Sequence, residues 1–157
     1  MSTNMDLADY RRALGSFATG VAVITTLDEN GENVGITVNS FNSVSLTPPL
    51  VLWSISSSSR SYAAFVAAEH FAVNILATQQ QEICERFASR TDDKFAGLNC
   101  AKGKTGVPIL EEFSAAFECK TEQIVEGGDH KIIIGRVIGF EDRQTDPLIV
   151  YRGHYMD

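Results

Sequence analysis

Four short stretches carry the residues whose types and spacing suit ligand chemistry. Trp53–Tyr62, "WSISSSSRSY", sets four consecutive serines and Arg60 between an apolar run and a helical pattern. Serine hydroxyls, free amides at a helix start and a guanidinium together make a phosphate site. A lone cation there opposes the helix dipole unless an anion joins it, which favours the anion reading over a capped linker. Gly35–Ser45, "GITVNSFNSVS", crowds Thr37, Asn39, Ser40, Asn42, Ser43 and Ser45 at a strand end. Alternation puts Thr37 and Asn39 on one face and Val38 and Ser40 on the other. Such an end can hydrogen-bond the heteroatom edge of a flat ring, partly through backbone; a loop of turn-formers is the competing reading. In Arg86–Gly97, "RFASRTDDKFAG", Phe87 and Phe95 can wall a flat ligand while Arg90 and Lys94 reach a phosphate or ribose. The fourth, Glu126–Val137, "EGGDHKIIIGRV", places His130 where a glycine turn becomes an apolar strand. Taken alone, it is as easily a solvated turn histidine.

Other chemistries are excluded. His70, His130 and His154 lie far apart, and neither they nor Cys84, Cys100 and Cys119 form a pair with metal-ligand spacing. No G-x-S-x-G elbow is present. No three glycines fall at i, i+2 and i+5 as a Rossmann fingerprint requires. "GLNCAKGKT", Gly97–Thr105, has five residues between its glycines, not the four of a P-loop, and no apolar strand before it. It reads as a surface loop with two exposed lysines. The net charge of -7 without a basic run argues against nucleic acid and anionic membranes. No apolar run approaches the ~18–20 residues that span a bilayer. The early acid in "MSTNMDLADY" is unlike a secretory signal. Reduced, structural thiols in a cytoplasm are expected, with Cys119 in the core.

These stretches need a frame. Leu7, Tyr10, Leu14 and Phe17 predict a helix capped by Asp6, with Gly20 just past its end. "VAVITTLDENGENVGITVNSF" predicts a hairpin about Asn30-Gly31. Two strands follow across the Pro48-Pro49 break, then a short helix (61–68), a strand (70–76) and an amphipathic helix (79–89). Residues 91–112 read as a turn-rich surface excursion. Two long strands joined at Gly127–His130 come next, and "PLIVYRGHY" finishes the chain. Hairpin-linked strands with few helices predict a mainly β fold, a small antiparallel barrel with inserted helices, in one domain over residues 1–157.

"YRRALGSFATGVAVITT", "GITVNSFNSVSLTPPLVLWSI", "HFAVNIL", "FASRTDDKF" and "GGDHKIIIGRV" resemble, in order, the flavin reductases of two-component flavin monooxygenases. The similarity runs from about Tyr10 to Tyr155, so no iron–sulfur domain or fused oxygenase is expected. The resemblance implies an antiparallel Greek-key split barrel, homodimeric, that binds FMN or FAD near the dimer interface. It implies that the flavin ring lies against Thr37, Val38, Asn39 and Ser40. Ser54, Ser56, Ser59 and Arg60 would hold the phosphate side, helped by Phe87, Ala88, Ser89 and Arg90. His130 and Tyr155 would sit beside the flavin where the nicotinamide of NADH or NADPH stacks, His130 as a positional and electrostatic group. Reduced flavin would then diffuse to a separate monooxygenase. An FMN-binding electron carrier, or a reductase of another bound acceptor, is the alternative.

Overall fold

This computed structural model describes residues 1 and 4–157. In chain order the elements are α1 (Leu7–Leu14), β1 (Thr19–Gly20), β2 (Ala22–Leu27), β3 (Asn33–Val38), β4 (Asn42–Leu46), β5 (Pro49–Ser56), α2 (Tyr62–Ala67), β6 (His70–Ile75), α3 (Gln81–Ala88), β7 (Cys100–Lys102), β8 (Pro108–Leu110), β9 (Ala115–Gly127), β10 (His130–Asp142), β11 (Ile149–Tyr151) and β12 (His154–Met156).

Seven strands form one antiparallel sheet in the order β3-β2-β6-β9-β10-β5-β4. Its two edges, β3 and β4, are consecutive in the chain. Laid flat, seven strands would span about 29 Å. The link from Val38 to Asn42 reaches at most about 15 Å. The sheet must therefore curl until its edges approach, which makes it a barrel. Ser40 in that link seals the seam: the Ser54 amide donates to its hydroxyl at 2.9 Å, and the hydroxyl donates to the Ser54 carbonyl at 3.2 Å. β5 and β6 are also consecutive yet lie apart across β10 and β9, a Greek-key crossing. The mainly β barrel read from the sequence is the fold observed.

β2 is buried on both faces. Ala22 and Ile24 point into the barrel with Trp53, Phe65, Phe71 and Ile133. Val23 points outward into a second cluster with Leu76, Phe87, Leu110 and Leu148. Trp53 packs edge-on against Phe65 and Phe71 at 4.9 and 5.9 Å. Cys119 is fully buried among them, and burial pushes its thiol up to about 12. The outer cluster seats α3 against β3. Phe87 crosses so close over Gly35 that a Cβ there would stand 2.6 Å from its ring.

The turns follow their chemistry. Asp28 accepts from the Asn30 and Glu32 amides while Gly31 takes φ 77°, forming the β2–β3 hairpin. Gly128 (φ 71°) and Asp129 make the two-residue β9–β10 turn. Asp6 caps α1 by accepting from Ala8 and Asp9.

Three local readings differ. α1 ends at Leu14 with Gly15 as its cap, so Phe17 lies beyond it and Gly20 belongs to β1. Leu7, Tyr10, Leu14 and Phe17 are all exposed, so the stripe covers nothing in a single copy. Residues 91–112 are not merely an excursion: β7 and β8 form a hairpin that buries Val107 and Leu110. Three-residue strands are too short to show a period. The Gly97–Thr105 loop exposes Lys102 and Lys104 as expected, but it also does what the surface-loop reading did not foresee and cradles an internal anion. The Thr105 amide and hydroxyl both donate to the buried Glu118 carboxylate at 2.9 Å.

Candidate functional site

β3, α2 and the segment after α3 enclose an open groove of about 1290 Å³. Gly35 and Thr37 form one wall, Ser56, Ser58, Ser59 and Arg60 another, and Phe87–Arg90 with Lys94 and Phe95 the third. Residues from three distant stretches meet here because α3 lies over β3, fixed by the Thr37 hydroxyl donating to the Cys84 carbonyl at 2.7 Å. Phe87 and Phe95 meet edge-on at 4.9 Å, giving the groove a rigid aromatic side.

Its cations are held differently. Arg60 donates to the Arg90 carbonyl at 2.7 Å and pairs with Asp92 at 2.9 Å. The expectation that a lone cation there calls for an anion is thus corrected: α2 starts at Tyr62, and Asp92 already neutralises Arg60. That pair is exposed, worth about 0–1 kcal/mol, so an incoming phosphate can compete for the guanidinium. Lys94 is half-buried and has no carboxylate partner among the described residues. It donates to the Phe87 carbonyl at 2.9 Å and the Gly35 carbonyl at 3.3 Å, leaving one of its three protons free. Burial, and then the neighbouring Arg60 charge, lower its ammonium from the ordinary lysine range.

Thr37, Ser56, Ser59, Arg60, Phe87, Ala88, Ser89 and Arg90 thus share one groove. Val38 packs against the barrel core, Asn39 opens onto a neighbouring concavity beside α1, and Ser40 and Ser54 form the seam. His130 begins β10 opposite Ser56. Its Nδ1 lies 2.7 Å from Asp129 Oδ1, and that bond, with the imidazole charge, lowers the Asp129 carboxyl. The Ser57 amide and hydroxyl both donate to the Asp129 carbonyl, tying the serine run to the histidine turn. Tyr155 sits behind α3, its hydroxyl donating to Glu85 at 3.3 Å. Burial, then Cys84 and Glu85, push its phenol up. No metal-binding cluster occurs among the described residues, and no helix among them is long and apolar enough to cross a membrane.

The flavin reductase-like domain model matches residues 14–157. The chain belongs to the flavin reductase-like family. The reductase component of the flavin-dependent trigonelline monooxygenase of Acinetobacter baylyi is 46% identical over 95% of this chain. This domain spans only about half (48%) of the length of that relative. HsaB of Rhodococcus jostii, a flavin-dependent monooxygenase reductase subunit, is 44% identical over 96% of the chain and 77% of its own. Among solved structures, the NADH:FAD oxidoreductase SgcE6 of Streptomyces globisporus, in complex with NAD and FAD fragments, matches with a TM-score of 0.90. It is 32% identical over 99% of this chain and 96% of that one.

Two features of the site lie outside what the sequence predicts, the close approach of Phe87 over Gly35 and the Glu85–Tyr155 contact. Gly35 carried no turn signal. Only its place within a strand, where glycine marks a close approach, pointed to it.

Proposed function

We propose that this domain is an NAD(P)H:flavin oxidoreductase that passes a hydride from NADH or NADPH to FMN or FAD and supplies reduced flavin to a separate monooxygenase component. The observation that carries this reading is the groove's distribution of donors. Serine hydroxyls and Arg60 line one wall, the edge strand at Gly35 and Thr37 lines another, and beside that strand stand Lys94 and the partly exposed Phe95, braced by the buried Phe87. Hydroxyls and cations suit a phosphate, and exposed strand backbone beside an aromatic wall suits a flat ring, so the residues fit a flavin. Two ring systems supply the chemistry, which needs no nucleophile or metal from the protein.

The chain's own residues bind and orient. Lys94, held by two carbonyls, presents its free proton to the phosphate, and Arg60 exchanges Asp92 for it. Thr37 is locked to α3, so the strand end keeps its position when a ring docks. Asp129 fixes the His130 ring through Nδ1 and leaves Nε2 for the nicotinamide carboxamide. Tyr155, through Glu85, braces the helix that carries Phe87. The exposed apolar residues Leu7, Leu46 and Phe140 give a second copy the surface to complete a homodimer. The low cysteine content and acidic charge suit a cytoplasmic setting.

The test is to mix the purified protein with NADH and FMN and follow the reduced nicotinamide absorbance. Flavin-dependent loss of NADH, continuing past one equivalent of protein, supports the reading. No flavin-dependent loss with either NADH or NADPH leaves an electron carrier. Flavin retained through gel filtration, with weak turnover of added flavin, leaves a reductase of another acceptor.

A further inference from the structure

Beside the strand end, at Asn39, lies a second concavity, of about 710 Å³, that the groove does not include. Its charged residues are Arg11, Arg12 and Arg152, and no carboxylate lines it. Arg12 pairs with Asp9 on its own helix. Arg11 has no partner among the described residues. Arg152 meets only neutral acceptors, the Tyr151 hydroxyl at 2.9 Å and the Arg12 carbonyl at 3.2 Å. Two uncompensated guanidinium charges therefore face one hollow, on a chain whose net charge is -7. Leu14, Phe17 and Val150 supply apolar walls, with Phe17 largely exposed.

The backbone at Arg152 makes a second, independent point. It takes φ 49° beside Gly153 at φ 77°, in a two-residue hairpin turn where asparagine or glycine is usual. A left-handed arginine is unfavourable and persists where the surroundings hold it in place. Here its amide donates to the Gly15 carbonyl at 3.0 Å, pinning the turn to the end of α1.

We infer that this pocket binds the adenosine diphosphate moiety of a dinucleotide substrate, with Arg11 and Arg152 on the pyrophosphate and the adenine against Phe17. A pyrophosphate bridge carries two negative charges, which matches the two uncompensated arginines, and guanidinium forks suit adjacent phosphate oxygens. Thr37 faces the groove and Asn39 faces this pocket, two residues or about 7 Å apart along the strand. A ligand held here reaches over the same strand end as one held in the groove. Given the proposed flavin site in the groove, on which this inference rests, the pocket is the place for the nicotinamide dinucleotide. FAD carries the same moiety and is the other source.

The experiment is calorimetric titration of ADP into the wild type, Arg11→Gln and Arg152→Gln, beside steady-state kinetics with NADH and FMN. Each variant should weaken ADP by about tenfold or more, the loss of one charge-assisted contact. KM for NADH rises in parallel with FMN as acceptor if the source is the nicotinamide dinucleotide, while the FMN Kd is unchanged. Affinity for FAD falls relative to FMN, with KM for NADH unchanged, if the source is FAD. Equal ADP affinity in all three proteins overturns the site. So does dissociation to a smaller species with ADP binding intact, which would make the arginines a subunit contact. Should Arg152→Gln fail to fold, Arg152→Lys keeps the charge without the fork, and Arg11→Gln lies on an exposed helix face. A wild type that binds ADP through Arg152 but shows no flavin-dependent NADH oxidation keeps the site and sinks the reductase reading instead.

Discussion

Gly35→Ala tests how the groove is built. A methyl at this position would stand 2.6 and 2.7 Å from two atoms of the Phe87 ring and 3.1 Å from Phe95. Phe87 has nowhere to go: it is 0% exposed and packs among Val23, Leu76 and Leu110. Overpacking of this kind costs about 1–3 kcal/mol. Alanine regains about 0.5–1 kcal/mol over glycine within a strand, so the clash wins. A net loss of about 1–2 kcal/mol lowers Tm by roughly 2–8 °C in a chain of this size. The clash also acts on the site, because Lys94 bridges the Gly35 and Phe87 carbonyls that the methyl pushes apart. FMN affinity should therefore fall along with Tm. Thermal unfolding by circular dichroism and FMN fluorescence quenching read the two effects, and adding Phe87→Leu should restore part of both. A Gly35→Ala protein that melts at or above the wild-type temperature refutes the reasoning.

His130→Ala should slow flavin reduction several-fold in stopped-flow traces while leaving FMN affinity unchanged. Equal rates would remove His130 from the nicotinamide side. Lys94→Met should cost FMN about tenfold in affinity but leave riboflavin unchanged, since only FMN carries the phosphate; equal losses for both ligands would assign Lys94 to packing. Glu118→Gln should destabilise by about 1–3 kcal/mol at neutral pH, read from the urea midpoint, because it empties the Thr105 cradle of its charge. Burial raises the Glu118 carboxyl, but bonds from Thr105 and the Lys104 amide outweigh it, so the group ends below its ordinary 4.5. A carboxyl lowered by folding stabilises above its unfolded value and loses that contribution as pH falls through the lower folded one. The wild type should thus shed this stability below about pH 4 and the variant should not. Parallel acid limbs for the two proteins would contradict the assignment.

What the sequence revealed was whatever local chemistry decides. Asn30-Gly31 and the Gly127–His130 segment named their hairpins because a tight turn needs those residues, and Asp6 named a helix start because its carboxylate can take two amides. Barrel closure was accessible too, as an expectation from many short strands, although its cause is the three-residue link between β3 and β4. The groove was legible only in fragments. Thr37, Arg60 and Phe87 each looked weak, and only the crossing of α3 over β3, a long-range event, brings them together. The Arg60 argument failed because its neutraliser, Asp92, is thirty-two residues away. Phe17 misled in the opposite direction. It keeps the helical spacing of Leu7, Tyr10 and Leu14, but Gly15 stops the helix before it, and it lies on the rim of the arginine pocket instead.

The distribution of positive charge links the two concavities. Seven of the thirteen lysines and arginines stand in ion pairs with carboxylates. Of the other six, Arg90 and Lys94 line the groove and Arg11 and Arg152 line the pocket; only Lys102 and Lys104 lie elsewhere, on the β7–β8 hairpin. A chain of net charge -7 repels phosphorylated ligands at long range. At physiological ionic strength that repulsion fades within a Debye length of about 8 Å, so the field at contact is set by the nearest unpaired groups. Two of those groups line the groove that includes Thr37, and two line the pocket that includes Asn39. Flavin and nicotinamide dinucleotide are both anionic at one end and planar at the other. On the proposed function, anchoring each by its phosphates in its own concavity would leave both ring systems the strand end at Thr37–Asn39 as common ground.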